Sequence, residues 1–228
     1  MHNLIIDVGA SNLYFSKILA KKNINCKVLA IDPLIQKETK TENLHTYNCA
    51  IDINEGIKAF NISGNHGDCS SLLEPKILKK DKTIDVTCKK LINLVDNYDF
   101  NFIEYLQIDT QGNDLNVILS LEKKIKNVIY GNIEAPINKY ESIYKNQYDL
   151  FEALRFLNDY NFQVDQVIPN NRECSEFNIF FSNKNIEKTN FNYLKYTVDG
   201  FNNFKKLDCS IYSKTYELYV KFKDLYSK

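Results

Sequence analysis

Five acidic residues stand at equivalent places in this sequence, each closing a short apolar run. Asp7 follows LII, Asp32 follows CKVLAI, Asp52 follows LHTYNCAI, Asp109 follows FIEYLQI and Glu134 follows NVIYGNI. Acids are depleted from strand interiors. Runs that stop on an acid therefore read as strands whose carboxyl ends share one polar edge, the edge where open α/β sheets bind ligands. Carboxylates there can accept hydrogen bonds from ribose hydroxyls or take a proton from a reacting group.

Gly9 and Ala10 follow the first run and make a turn with little side-chain bulk, so the backbone can approach a cofactor closely. Asp32 comes about twenty residues later, at the spacing of a ribose-binding acid. The turn has one clear glycine, whereas a pyrophosphate cradle wants three. An adenosine cofactor without a pyrophosphate fits better, and S-adenosylmethionine (SAM) is the candidate. The loop 63–71 (SGNHGDCSS) carries His66 and Asp68, and its composition suits a segment that covers a site.

The residues that could act as a base are Asp109, Asp114, Glu134 and His66. Asp109 is preferred for its position at the end of the central strand, although it also reads as a cofactor or helix-cap residue. His66 has an unperturbed pKa suited to neutral pH, but also reads as a solvated loop residue. Glu134 could hold an acceptor or buttress the sheet edge, and Asp114 could stabilise the start of its helix. Asp109 with Glu134 is the one pair that could hold Mg²⁺, and two strand-end acids make no metal site.

These side chains need a scaffold. Residues 4–6, 26–31, 44–51, 102–108 and 127–133 read as strands, with edge strands at 57–62 and 84–87 and a final pair at 162–168 and 177–182. Helical spacing marks 12–22, 88–95, 114–121 and 150–158, the last with Leu150, Phe151, Leu154 and Leu157 inward. The stretch 36–43 reads as solvated helix or loop. The alternation of strand, turn and helix predicts an α/β fold: a doubly wound, mostly parallel sheet of about seven strands with helices on both faces. Residues 1–183 form that domain. Residues 184–228 are an aromatic and basic extension with a helix at 213–223, which packs on the domain or forms a dimer surface.

The chain has 228 residues, 44% of them hydrophobic, enough for a full core. Lys+Arg and Asp+Glu are 29 each, which leaves no broad basic footprint for nucleic acid. Six cysteines at 26, 49, 69, 88, 174 and 209 form no CxxC or Cys/His cluster. Cys26 and Cys49, in or next to apolar strands, suit reduced buried thiols; with no signal peptide ahead of Leu4 and no run of the ~20 apolar residues a span requires, a soluble, cytoplasmic protein is expected.

Taken together, LIIDVGASN, LAIDP, GDCSSL, VTCKKLINLV, YLQIDTQGNDLNVI, NIEA and LFEALRFLNDYNFQV resemble, in order, the motifs of the FkbM family of SAM-dependent methyltransferases. The resemblance runs from about Leu4 to Ser182. It implies a class I methyltransferase fold, SAM as cofactor, and methyl transfer to a hydroxyl, often on a sugar or natural product. It places Asp7, Gly9, Ala10, Ser11, Asp32, Pro33, Asp52 and Asp109 along the cofactor, with Asp52 near the adenine and Asp109 beside the methyl group. Ser71, Asp114 and Glu134 would lie on the acceptor side. The family turn continues with Asn and then Gly where this chain has Ser11 and Leu13, and the branched Leu13 is expected to reshape the cofactor pocket. Asp114 replaces a more usual Glu. The competing readings are a nicotinamide-dependent oxidoreductase, against which the missing glycines argue, and a non-catalytic interaction module.

Overall fold

The computed structural model describes residues 2–64, 67–171 and 173–191. In chain order the elements are β1 (His2–Val8), α1 (Tyr14–Lys22), β2 (Cys26–Ile31), β3 (Leu44–Tyr47), β4 (Ala50–Ile51), β5 (Gly56–Ser63), β6 (Lys80–Lys89), α2 (Leu91–Val95), β7 (Phe100–Ile108), α3 (Asp114–Leu119), a 3₁₀ segment Glu122–Asn127, β8 (Val128–Pro136), α4 (Leu150–Asp159), β9 (Phe162–Pro169) and β10 (Glu176–Asn183). Seven strands form one sheet in the order β3-β2-β1-β7-β8-β10-β9. Only β10 runs against its neighbours. The sheet winds outward in both directions from β1 and β7, so a crevice opens at their carboxyl ends.

Alternation along the strands separates two apolar layers. Leu4, Ile6 and Val8 of β1 join Ile103 and Ile108 of β7 under α2, α3 and α4, where Leu91, Val117, Ile118, Ala153 and Leu157 are buried. Ile5 and Tyr105 face the other way, toward Leu19 of α1. Phe191 also packs on that face, against Tyr105 and Tyr130, and Tyr130 donates to the Thr189 carbonyl. Part of the extension therefore completes the second layer instead of lying outside a finished core. The expected helix at 213–223 and the dimer surface fall outside the described residues.

α4 begins on a capping box. The Asp149 carboxylate accepts the Glu152 amide at 3.1 Å, and Glu152 accepts the Asp149 amide at 2.9 Å. Its buried face is Leu150, Ala153, Leu154 and Leu157. Phe151, expected inward, is 46% exposed.

The largest departure from the sequence reading is the stretch 44–51. It does not form one strand. β3 ends at Tyr47, and β4 joins a second sheet of order β4-β6-β5. The stretches 57–62 and 84–87, expected as edge strands, are the centres of the long antiparallel pair β5 and β6: β5 is an edge strand of this second sheet, whereas β6 is its middle strand. Residues 88–89 extend β6, which leaves α2 only five residues. The stretch 36–43 holds no helix.

Gly131 sits mid-strand in β8, opposite Phe181 of β10. A Cβ there would stand 2.2 Å from the Phe181 ring carbon Cζ, so the aromatic ring fills the space a side chain would need. Gly131→Ala is expected to lower stability by about 1–3 kcal/mol through overpacking. Urea denaturation checks this, and Phe181→Leu in the same chain should return part of the loss.

Candidate functional site

The turn after β1 is held by its neighbours. The Gly9 and Ala10 amides both donate to the Ile31 carbonyl, at 2.9 and 3.2 Å, and the Asp109 amide donates to the Val8 carbonyl at 2.9 Å. Gly9 has φ +87°, and a Cβ on it would lie 1.8 Å from the Asp109 carbonyl oxygen. Only glycine satisfies both demands. The two βα turns that carry the chemistry are thus packed backbone to backbone.

Asp32 follows β2. Its carboxylate accepts the Ser11 amide at 3.0 Å and the Leu34 amide at 2.7 Å. A carboxylate offers about four lone-pair sites, so two remain, and Asp32 lines an open cleft beside the ends of β1, β2 and β7. Gly9, Asp32, Pro33 and Asp109 surround one part of it. Ala50, Ile51, Phe60 and Leu72, with Ser70, form an apolar slot at the other. Three successive turn amides, those of Gly9, Ala10 and Ser11, are engaged within the protein, which leaves them turned away from any pyrophosphate.

Asp7 lies within β1, one residue short of its end, and faces α1, where it accepts a hydrogen bond from Ser16. Burial pushes its pKa up to about 7, with Asp109 and Asp32 adding to the rise and Ser16 opposing it. Burial likewise raises Asp109 to about 6, and neighbouring Asp114 and Asp32 push the same way. Glu134 is raised well above the usual carboxylate range by burial and then by Asp109 and Glu176. Glu176, which the sequence did not single out, is raised by burial and by Asp109. The Asn170 amide nitrogen bridges the two glutamates at 3.2 and 3.0 Å. Among the described residues no ion pair joins Asp7, Asp32, Asp109, Asp114, Glu134 or Glu176 to a cation.

Several expected contacts are not brought to the cleft. Asp52 pairs with Lys58 and accepts the Ile53 amide at 2.8 Å, and it does not line the cleft. Ser71 is fully buried and donates to the Gln111 carbonyl at 2.7 Å. Asp114 is fully buried too, its oxygens accepting the Thr110 amide and hydroxyl and the Glu134 amide. Both brace the turn between β7 and α3, and neither lines the cleft. His66 lies outside the described residues. Leu13 caps α1 at φ 63° and does not line the cleft. What its position demands is left-handed backbone, not a small side chain, which explains why glycine suits it.

A doubly wound sheet of this order, with its cleft at the carboxyl ends of β1 and β2, defines a Rossmann-like methyltransferase fold. The family model of the methyltransferase FkbM domain matches residues 7–164, and the chain belongs to that family. It is a methyltransferase of the FkbM type. No curated protein matches the chain. Among the described residues no group of His, Cys, Asp and Glu is arranged to hold a metal, and no helix is long and apolar enough to cross a membrane.

The raised pKa of Asp7 has a defined effect on stability. Its protonated form favours the fold, so its contribution is full below about pH 4, falls as pH rises, and is lost above about pH 7. Asp7→Asn removes that dependence. The melting temperature of the variant relative to the unsubstituted protein is expected to climb between pH 4 and 7 and then level off, which thermal melts across that range would show.

Proposed function

We propose that the chain is a SAM-dependent O-methyltransferase acting on a hydroxyl of a sugar, a glycan or a small natural product. The observation that carries this reading is the joint exposure of Asp32 and Asp109 to one cleft, on either side of Gly9. The residues present fit the cofactor. Asp32 has lone pairs left for ribose hydroxyls, Ile51, Phe60 and Leu72 offer apolar surface for a purine, and the engaged turn amides suit a ligand without a pyrophosphate. Uncompensated carboxylates favour a ligand that carries positive charge.

When bound, SAM supplies a methyl group already activated on a sulfonium. The protein's part is to hold the two reactants in line, which can contribute roughly 7–11 kcal/mol, and to take the hydroxyl proton. Asp109 is placed for that second task. It reaches the cleft, and burial raises it to about 6, close to the pKa that serves a base at neutral pH. Glu134 and Glu176 interact electrostatically with Asp109 but do not line the cleft, so they act on it through its charge.

Calorimetric titration is expected to show binding of SAM and S-adenosylhomocysteine but not NADH, with Asp32→Ala weakening both adenosyl ligands by roughly 10–100-fold through loss of a charge-assisted pair of hydrogen bonds. NADH binding alone would overturn the reading. Asp109→Asn should weaken SAM less than Asp32→Ala does and, at saturating SAM, slow S-adenosylhomocysteine formation on a hydroxylated acceptor by ~100–10,000-fold.

A further inference from the structure

Gln111 lies in the turn between β7 and α3 with φ 55°, a left-handed backbone that costs a non-glycine residue of order 1 kcal/mol. Three interactions hold it there. Its Nε2 donates to Asp109 Oδ1 at 2.7 Å. Its Oε1 accepts from the Tyr144 hydroxyl at 2.9 Å. Its carbonyl accepts from Ser71 Oγ at 2.7 Å. Tyr144 is itself buried, in the segment after β8, and its hydroxyl also lies 2.8 Å from the Cys69 carbonyl.

We propose that Gln111 is a positioning residue: its side chain orients the Asp109 carboxylate and ties it to the seating of two loops, one through Ser71 and Cys69 and one through Tyr144. The inference rests on the methyltransferase reading given above. The chemistry of the partners fixes the direction of the amide. An ionised carboxylate only accepts, so the amide N–H must face Asp109 and the carbonyl must face Tyr144. The tyrosine has one proton, shared between Gln111 Oε1 and the Cys69 carbonyl. Donation to Gln111 locks the amide against rotation. If Asp109 becomes protonated it can donate instead, the amide can turn, and Tyr144 is left with Cys69. The proton on Asp109 and the hydrogen bonding of the two loops then change together.

The environment of Asp109 makes this donor matter. Asp7 on β1, Asp32 after β2, Asp114 on α3, Glu134 on β8 and Glu176 on β10 all interact with it, as do Tyr144 and Cys69 from the loops. Every one of these groups is acidic or neutral. The Gln111 amide is the side-chain donor that favours the charged form of Asp109.

The test reads the carboxyl group itself. Protein labelled with carboxyl ¹³C-aspartate is titrated by NMR, with Asp109 assigned by its loss in Asp109→Asn. The unsubstituted chain should titrate at about 6. Gln111→Leu, which removes the donor, should raise that midpoint by about 1 pH unit, and Gln111→Glu, which sets a carboxylate against it, by more. Tyr144→Phe, which frees the amide, should give a smaller rise. A folded Gln111→Glu or Tyr144→Phe protein with a lower melting temperature but an unchanged Asp109 midpoint would overturn the proposal and leave Gln111 a merely structural residue. SAM titration of the unsubstituted chain is run beside it. Failure to bind there would sink the proposed SAM-dependent reading while the NMR result on Gln111 stood.

Discussion

The site depends on one close approach, the backbone of Gly9 against the carbonyl of Asp109. With no side chain between them, the ends of β1 and β7 come together and bring their turns with them. The same turn passes its amides to Ile31 and to Asp32, so the end of β2 is set by the same contact. Three acids from three strands are thereby fixed by backbone geometry, with little reliance on the rotamers of long side chains. A second layer of support comes from Asp114, which ties the Thr110 turn to β8, and from Ser71, which ties the loop after β5 to that turn.

The electrostatic character of the site follows from what this scaffold brings together. Acids converge from β1, β2, β7, β8 and β10, and the described residues offer them amides and hydroxyls in place of cations. Burial and mutual repulsion hold several of them partly protonated near neutral pH. A site of this kind has protons to release when a positively charged ligand arrives. Under the proposed use of SAM it gains less from the uncharged thioether left after methyl transfer, so the loss of the sulfonium charge would weaken the hold on the spent cofactor.

Much of this was legible in the sequence, for definite reasons. The seven-stranded sheet announced itself through apolar runs of strand length that stop on acids, and Gly9, Asp32 and Asp109 were identifiable because strand ends, turns and acids coincide there. The second sheet was hidden. The run 44–51 has enough apolar and β-forming residues to pass for one strand, and the single turn-favouring residue in it, Asn48, is a weak mark for the point where the chain changes sheets. With that break unseen, Asp52 looked like one of five edge acids, although Lys58 six residues later offered the local signal of an ion pair. Ser71 and Asp114 were read as acceptor contacts because residue type does not report burial; both prove fully enclosed. Phe60, Ser70, Leu72 and Gln111 were missed because their importance comes from long-range contacts with no short-range pattern.

The switch of sheets at Asn48 and Cys49 has a mechanical meaning. One wall of the cleft belongs to the central sheet, at Gly9, Asp32 and Asp109. The other belongs largely to the small sheet, at Ala50, Ile51 and Phe60. The small sheet has its own modest core of Ala50, Phe60, Ile62, Val86 and Cys88. A ligand seated between the two walls acts as a rivet, adding its contacts to those that already fasten the lesser sheet to the greater, among them Ile51 in the main core and the hydrogen bonds from Asn113 to Ile51 and from Ser71 to Gln111. Part of the affinity for such a ligand is therefore stability of the small sheet in another form, and substitutions far out on β5 or β6 would reach the cleft by loosening that wall, with no side chain of theirs touching the ligand.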